Sequence, residues 1–257
     1  MIEFKSVSKV YLGGKVAVHN VNLKIEDGQF IVFIGTSGSG KTTCMRMINK
    51  MIEPSSGNIL IDGKDIKNMN DVALRRSIGY VIQQIGLMPH MNIFENIVMV
   101  PRLLKMQENK LREIAENLIK KVDLPVEYLD RYPKELSGGQ QQRIGVIRAL
   151  SANQNIILMD EPFGALDPIT RENLQTLVKN LQVELGKTFI FVTHDIDEAL
   201  LLADKIAIMD NGQVIQYDTP QNILKSPAND FVKNLLGEKR LDHAKFDYLP
   251  VEEVMIR

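Results

Sequence analysis

Residues Gly35 to Thr43 read Gly-Thr-Ser-Gly-Ser-Gly-Lys-Thr-Thr. Those types at that spacing can hold phosphate. The glycines let backbone N–H groups close on phosphate oxygens with no Cβ in the way. Lys41 supplies a full positive charge for the β/γ-phosphates, and the Thr42 hydroxyl can ligate Mg²⁺. Asp160 and Glu161 form a second chemical pair. Asp160 is placed to hold Mg²⁺, and Glu161 is a candidate general base for an attacking water. A third group is Thr193-His194-Asp195, where His194 could contact a γ-phosphate or Glu161. A fourth is Leu136-Ser137-Gly138-Gly139-Gln140, an anion site at a helix start that has no lysine of its own.

Each group needs an element to position it. Phe30–Ile34 is apolar throughout and precedes the glycine loop, and Cys44–Ile48 behind it has helical character. Strand, loop and helix in that order give the anion a helix N-terminus with its partial positive charge. Ile156–Met159 and Phe189–Val192 are further fully apolar runs. Buried parallel strands read this way, with functional residues at their carboxyl ends. Ile2–Val7 and Val21–Ile25 alternate apolar and polar residues, as half-buried strands do. Tyr11 sits in the loop between them, as a packing anchor or as a platform for a nucleobase.

Further along, Pro54–Gly57 is a turn, and Asn58–Ile61 with Asp62-Gly63 reads as a strand and tight turn. Ile78–Ile82 is a short strand ending at Gln83. Asn92 can cap a helix from Ile93. Leu111, Ile114, Ala115, Leu118, Ile119 and Val122 share one helical face. A helix is expected over 141–150 and another over 195–203. Asp210-Asn211-Gly212 predicts a hairpin turn, and Thr219-Pro220 a helix start. The pattern over 93–132 predicts helices inserted into an α/β core.

The chain has 257 residues, 44% hydrophobic and 25% charged, with 31 basic and 32 acidic residues. That suits a soluble α/β domain, alone or with a subdomain. No basic block supports nucleic-acid binding. The single cysteine, Cys44, excludes an internal disulfide and reads as a small buried residue, with a regulatory thiol as the minor alternative. The N-terminus lacks a signal-peptide pattern, and no apolar run approaches the ~20 residues needed to span a bilayer.

Taken together, GTSGSGKTT, Gln83, LSGGQ, IILMDEP and Thr193-His194-Asp195 resemble the nucleotide-binding subunit of an ABC transporter. LSGGQ is the discriminating piece, because P-loop ATPases in general lack it. The resemblance covers roughly residues 1–236 and implies a RecA-like P-loop ABC ATPase core. An antiparallel β-subdomain and an α-helical subdomain at about 88–150 belong to that expectation, with 237–257 as linker or tail. It implies ATP and Mg²⁺ as cofactors. Tyr11 then resembles the aromatic that stacks on adenine. Gly35, Ser37, Gly38, Gly40, Lys41, Thr42 and Thr43 match the phosphate loop. Thr42, Gln83 and Asp160 match the residues that reach the metal. Glu161, His194, Gln83 and Lys41 match the catalytic set. Ala165-Leu166-Asp167 matches the D-loop.

The resemblance also implies a head-to-tail homodimer, in which Ser137, Gly139 and Gln140 of one subunit complete the phosphate cage of the other. Transmembrane permease subunits would dock near Gln83 to Ile97, where Met88 and Met91 are either contact surface or core, and a substrate-binding protein would complete the importer. The site of action would be the cytoplasmic face of the bacterial plasma membrane. The strings at 10–15, 81–87 and 161–168 are similar to the branch that imports quaternary ammonium osmolytes such as glycine betaine, carnitine and choline. Import of an amino acid or polyamine is the alternative substrate reading. A DNA-repair type ABC ATPase is the remaining one, and the interval from Thr43 to Ser137 lacks the sustained heptads it needs. Leu249 to Met255 resemble the opening of a cystathionine-β-synthase-type regulatory domain; either the native protein is longer or those domains are absent, and the longer protein is the expectation.

Overall fold

A computed structural model describes residues 1–83, 86–164, 166–238 and 240–241. The D-loop residue Ala165 and the expected regulatory-domain start at 249–255 lie outside the described residues.

The chain opens with β1 (Ile2–Val10), β2 (Val16–Ile25) and β3 (Phe30–Gly35), then α1 (Lys41–Ile48). β4 (Ser56–Ile61), β5 (Lys64–Asp65), α2 (Asp71–Ser77) and β6 (Ile78–Val81) follow. Three helices come next: α3 (Ile93–Leu103), α4 (Glu108–Lys121) and α5 (Gly138–Leu150). The chain returns as β7 (Ile156–Asp160), α6 (Pro168–Leu185), β8 (Thr188–Val192) and α7 (Ile196–Leu202). It continues through β9 (Lys205–Asp210), β10 (Gln213–Asp218), α8 (Pro220–Lys225) and α9 (Asp230–Leu236).

Two sheets result. β2-β1-β4-β5 is antiparallel, and β10-β9-β3-β8-β7-β6 is parallel except for its β9–β10 edge. Alternation along the parallel strands assigns their two faces. Phe30, Val32, Ile34, Ile157, Met159, Phe189 and Phe191 meet the helical layer of α3–α7. Ile31, Phe33, Ile156, Leu158, Ile190 and Val192 meet α1 and the antiparallel sheet. Both faces are covered, which is why the runs at 30–34, 156–159 and 189–192 within β3, β7 and β8 are apolar throughout. Burying each such side chain contributes about 1.5–3 kcal/mol.

Local chemistry sets the boundaries. Asn92 and Glu95 exchange hydrogen bonds in a capping box, so α3 begins at Ile93 as its sequence suggests. Asp195 caps α7. The helix expected over 141–150 begins three residues sooner, at Gly138. Ser137 and Gln140 form a reciprocal cap that holds Gly138 and Gly139 in the first turn despite their low helix propensity. β1 and β2 extend to Val10 and from Val16, beyond the alternating cores of each strand. Asn211 and Gly212 carry φ of 44° and 78°, the pair a type I′ hairpin turn requires.

Candidate functional site

The site forms where β3, β7 and β8 end side by side. After Gly35 the chain turns back into α1 through Thr36–Gly40. A Cβ at Gly40 would lie 2.4 Å from the Ala17 carbonyl oxygen, and Gly40 has φ 101°. Only glycine fits there, so α1 starts without a side-chain cap. Its first-turn N–H groups have no intrahelical acceptor, and they point out at the loop. Lys41 is buried, and its Nζ donates to the carbonyls of Gly35 (2.9 Å) and Thr36 (2.8 Å). Burial holds the Lys41 ammonium below its ordinary value, while the carboxylates of Glu161 and Asp160 pull it upward. Ser37, Gly38 and Thr43 lie in the same loop and helix start.

Asp160 ends β7. Thr42 Oγ1 donates to Asp160 Oδ1 at 3.0 Å, joining the helix start to the strand end. Thr42 and Asp160 are hard oxygen donors of the kind Mg²⁺ takes, in a small set that leaves positions for phosphate and water. Among the described residues no cluster of three or more His, Cys, Asp or Glu side chains could hold a metal alone. Two oxygen donors of this kind fit a divalent cation whose remaining ligands are phosphate and water.

Glu161 follows in the left-handed region, φ 45°, a strained conformation for a non-glycine residue. Its N–H donates to the Val192 carbonyl at 3.0 Å, which fixes the turn against β8. His194 projects from the end of β8, and its Nδ1 lies 3.2 Å from Glu161 Oε2. Behind it Thr193 Oγ1 donates to the buried Glu198 at 2.5 Å, and Gln175 Nε2 donates to Glu198 at 3.2 Å. Burial raises the Glu198 carboxyl above its ordinary value. A carboxylate and an imidazole beside an ammonium and a cation site can bind a triphosphate and take a proton from water.

The remaining sequence candidates fall in two places. Tyr11 lies in the β1–β2 turn, half exposed, with Lys9 Nζ 5.4 Å from its ring centre. That turn leads into Ala17 and Val18, which lie against Gly40 of the phosphate loop. Gln83 follows β6, its amide nitrogen 3.8 Å from where a Cβ at Gly164 would sit. Ser137, Gly139 and Gln140 stand apart. No hydrogen bond among the described residues joins them to the loop at 35–43. A Cβ at Gly139 would lie 2.5 Å from the Thr170 methyl on α6. α5 packs on β6, and β6 is three strand spacings from β3, about 14 Å.

Three residues escaped the sequence reading. Gln142 on α5 is buried and donates through Nε2 to the Pro162 carbonyl at 2.5 Å, tying the LSGGQ helix to the Asp160-Glu161 turn. Asn96 on α3 is fully buried. It accepts from Met88 N (2.7 Å) and donates to the carbonyls of Met88, Met91 and Asn92, holding the loop beyond Gln83. Arg46 contacts Asp160. Gln and Asn buried this way leave no periodic mark. An arginine within the otherwise apolar stretch Cys44–Ile48 of α1 was the one signal available.

A glycine loop at the end of β3, an acid pair at the end of β7 one strand beyond β8, and helices on the sheet's face define a P-loop α/β protein. A family model described as ABC transporter matches residues 18–164, and the chain belongs to that family. It is 63% identical over 255 residues to the carnitine transport ATP-binding protein OpuCA of Listeria monocytogenes, covering 99% of this chain and 64% of that protein. The chain thus spans just under two thirds of that relative's length. It is 59% identical over 257 residues to the glycine betaine/carnitine/choline transport ATP-binding protein OpuCA of Bacillus subtilis, covering 100% of this chain and 68% of that protein. Among solved structures, the dimeric post-hydrolysis state of the ATP-binding cassette MJ0796 bound to ADP and Pi superposes with a TM-score of 0.75. That match has 37% identity and covers 86% of this chain and 99% of that one.

Proposed function

We propose that this chain is the ATP-hydrolysing subunit of an ABC importer for quaternary ammonium osmoprotectants, glycine betaine, carnitine and choline among them. The observation that carries the reading is the Glu161–His194 contact beside Lys41, Thr42 and Asp160. The names of the two bacterial transport relatives support the substrate class.

In this reading Tyr11 stacks on the adenine. The N–H groups of the glycine loop and the Lys41 ammonium neutralise the phosphates. Thr42, Asp160 and Gln83 hold Mg²⁺, which would supply charge stabilisation at the transferring phosphoryl group. Glu161 takes the proton of the attacking water, and His194 orients the Glu161 carboxylate through their 3.2 Å contact. Ser137, Gly139 and Gln140 make no hydrogen bond to their own loop among the described residues. They serve a second copy instead, and a head-to-tail dimer completes each site. ATP bound between the copies favours the dimer by mass action, and its hydrolysis releases it. The helices at about 88–150 act as a subdomain that carries this half-site to the partner copy.

Among the described residues no helix is long and apolar enough to cross a membrane. In this reading permease subunits do the spanning. They hold this chain at the cytoplasmic face, near Gln83 and the Met88–Met91 loop, and a substrate-binding protein delivers the solute.

Uptake of labelled glycine betaine and carnitine under salt stress tests the reading. Source cells with other osmolyte systems deleted would carry the gene intact or as Glu161→Gln. Loss of uptake in the variant is the expected result. Unchanged uptake alongside lost ATPase activity would discard the osmolyte assignment and favour another small solute.

A further inference from the structure

Asp160 uses its two carboxylate oxygens differently. Oδ1 accepts from Thr42 Oγ1 at 3.0 Å. Oδ2 accepts from Arg46 Nη2 at 3.2 Å and, more weakly, from Tyr80 OH at 3.5 Å. Thr42 and Arg46 are four residues apart on α1, so both project from one face of that helix. Tyr80 lies on β6, whose register with β7 pairs it with Leu158, two residues before Asp160 on the same sheet face. Two elements thus grip the oxygen that points away from Thr42. Arg46 is 45% exposed and Asp160 only 11% exposed, so the contact reaches from the surface to a buried acid.

We infer that Arg46 and Tyr80 are positioning residues that lock the Asp160 carboxylate with Oδ1 facing Thr42, and so set the affinity of the site for its divalent cation. The inference rests on the reading in which Thr42 and Asp160 hold Mg²⁺. A carboxylate gripped on one oxygen only can turn about its terminal torsion, which is broad. Gripped on both, it presents one oxygen to the metal and keeps the other occupied. Partners of this kind behind a metal ligand typically change metal affinity about 10–100-fold when removed. The Arg46 charge acts in the opposite direction, since it repels a cation. Orientation outweighs that repulsion here, because the exposed guanidinium is screened by solvent.

The test is binding of a fluorescent ATP analogue to the full chain while Mg²⁺ is titrated from an EDTA baseline, with Mn²⁺ binding read in parallel by electron paramagnetic resonance. Arg46→Met should raise the Mg²⁺ concentration for half-maximal tightening about tenfold. Its affinity in EDTA and its melting temperature should stay unchanged. Arg46→Lys, which keeps the charge and loses the fork, should recover part of the loss. Tyr80→Phe should shift the titration in the same direction and by less. An unchanged Mg²⁺ titration in Arg46→Met overturns the inference. So does a tighter one, which would mean repulsion dominates, or an equal loss with and without metal, which would mark a purely structural role. If the intact chain shows no Mg²⁺ dependence at all, the metal assignment of Thr42 and Asp160 falls first, and the inference falls with it.

Discussion

His194 Nδ1 lies 3.2 Å from Glu161 Oε2, closing a contact between the carboxyl ends of two neighbouring parallel strands. Neither side chain is set by its own segment alone. Glu161 is turned toward His194 by its left-handed backbone and by the hydrogen bond from its N–H to the Val192 carbonyl. If the pair acts as a unit, Glu161→Gln should lower ATP turnover on the order of 10²–10⁴ while nucleotide still binds. His194→Ala should lower it as well, and the double variant should be little worse than the worse single one. Steady-state turnover of the three variants checks this.

The same Glu161→Gln chain should accumulate with ATP as a dimer. Light scattering at matched concentration should show twice the monomer mass with ATP and Mg²⁺, and monomer with ADP. A mass that stays monomeric with ATP would remove the basis for assigning Ser137, Gly139 and Gln140 to a partner's site, at least for the isolated subunit.

Among the described residues, the Lys41 ammonium donates to carbonyls and the Ser39 hydroxyl of its own loop. A triphosphate would exchange those neutral acceptors for charged ones. Hydrogen bonds to charged groups contribute about 1.5–3 kcal/mol, so Lys41→Ala should weaken ATP about 10–100-fold. AMP, which lacks the β- and γ-phosphates, should be affected far less. Equilibrium titration of both nucleotides separates the cases.

Asn96 makes its hydrogen bonds inside the protein with no solvent exposure. Asn96→Ala strands the Met88 N–H and leaves the Met88 carbonyl with only the Met91 N–H, and the cost should be about 1–3 kcal/mol. The urea midpoint should fall accordingly, and proteolysis at 88–91 should become faster.

Burial pushes the Cys44 thiol up to about 12. The native chain should therefore resist alkylation at pH 8 and react fully once unfolded. The linkage has a definite sign. The folded-state value is raised, so this contribution to stability is complete below the unfolded value near 9. It is lost as pH climbs from there toward about 12. Cys44→Ala should flatten the alkaline fall in stability over that window.

Much of this protein was legible without coordinates, for identifiable reasons. The runs at 30–34, 156–159 and 189–192 announce doubly covered parallel strands, because a strand buried on both faces has no polar alternation to keep. GTSGSGKTT and LSGGQ announce helix starts, because backbone geometry there depends on the local glycines and caps. Asn92, Asp195 and Thr219 cap the helices their types predict. What the tertiary structure alone decided is which distant side chains meet. Arg46 and Tyr80 grip Asp160, Gln142 reaches the Pro162 carbonyl, and Asn96 organises Met88–Met91. These contacts depend on strand order, register and helix docking. Those are fixed by burial summed over the whole core and leave no mark in any one stretch of sequence.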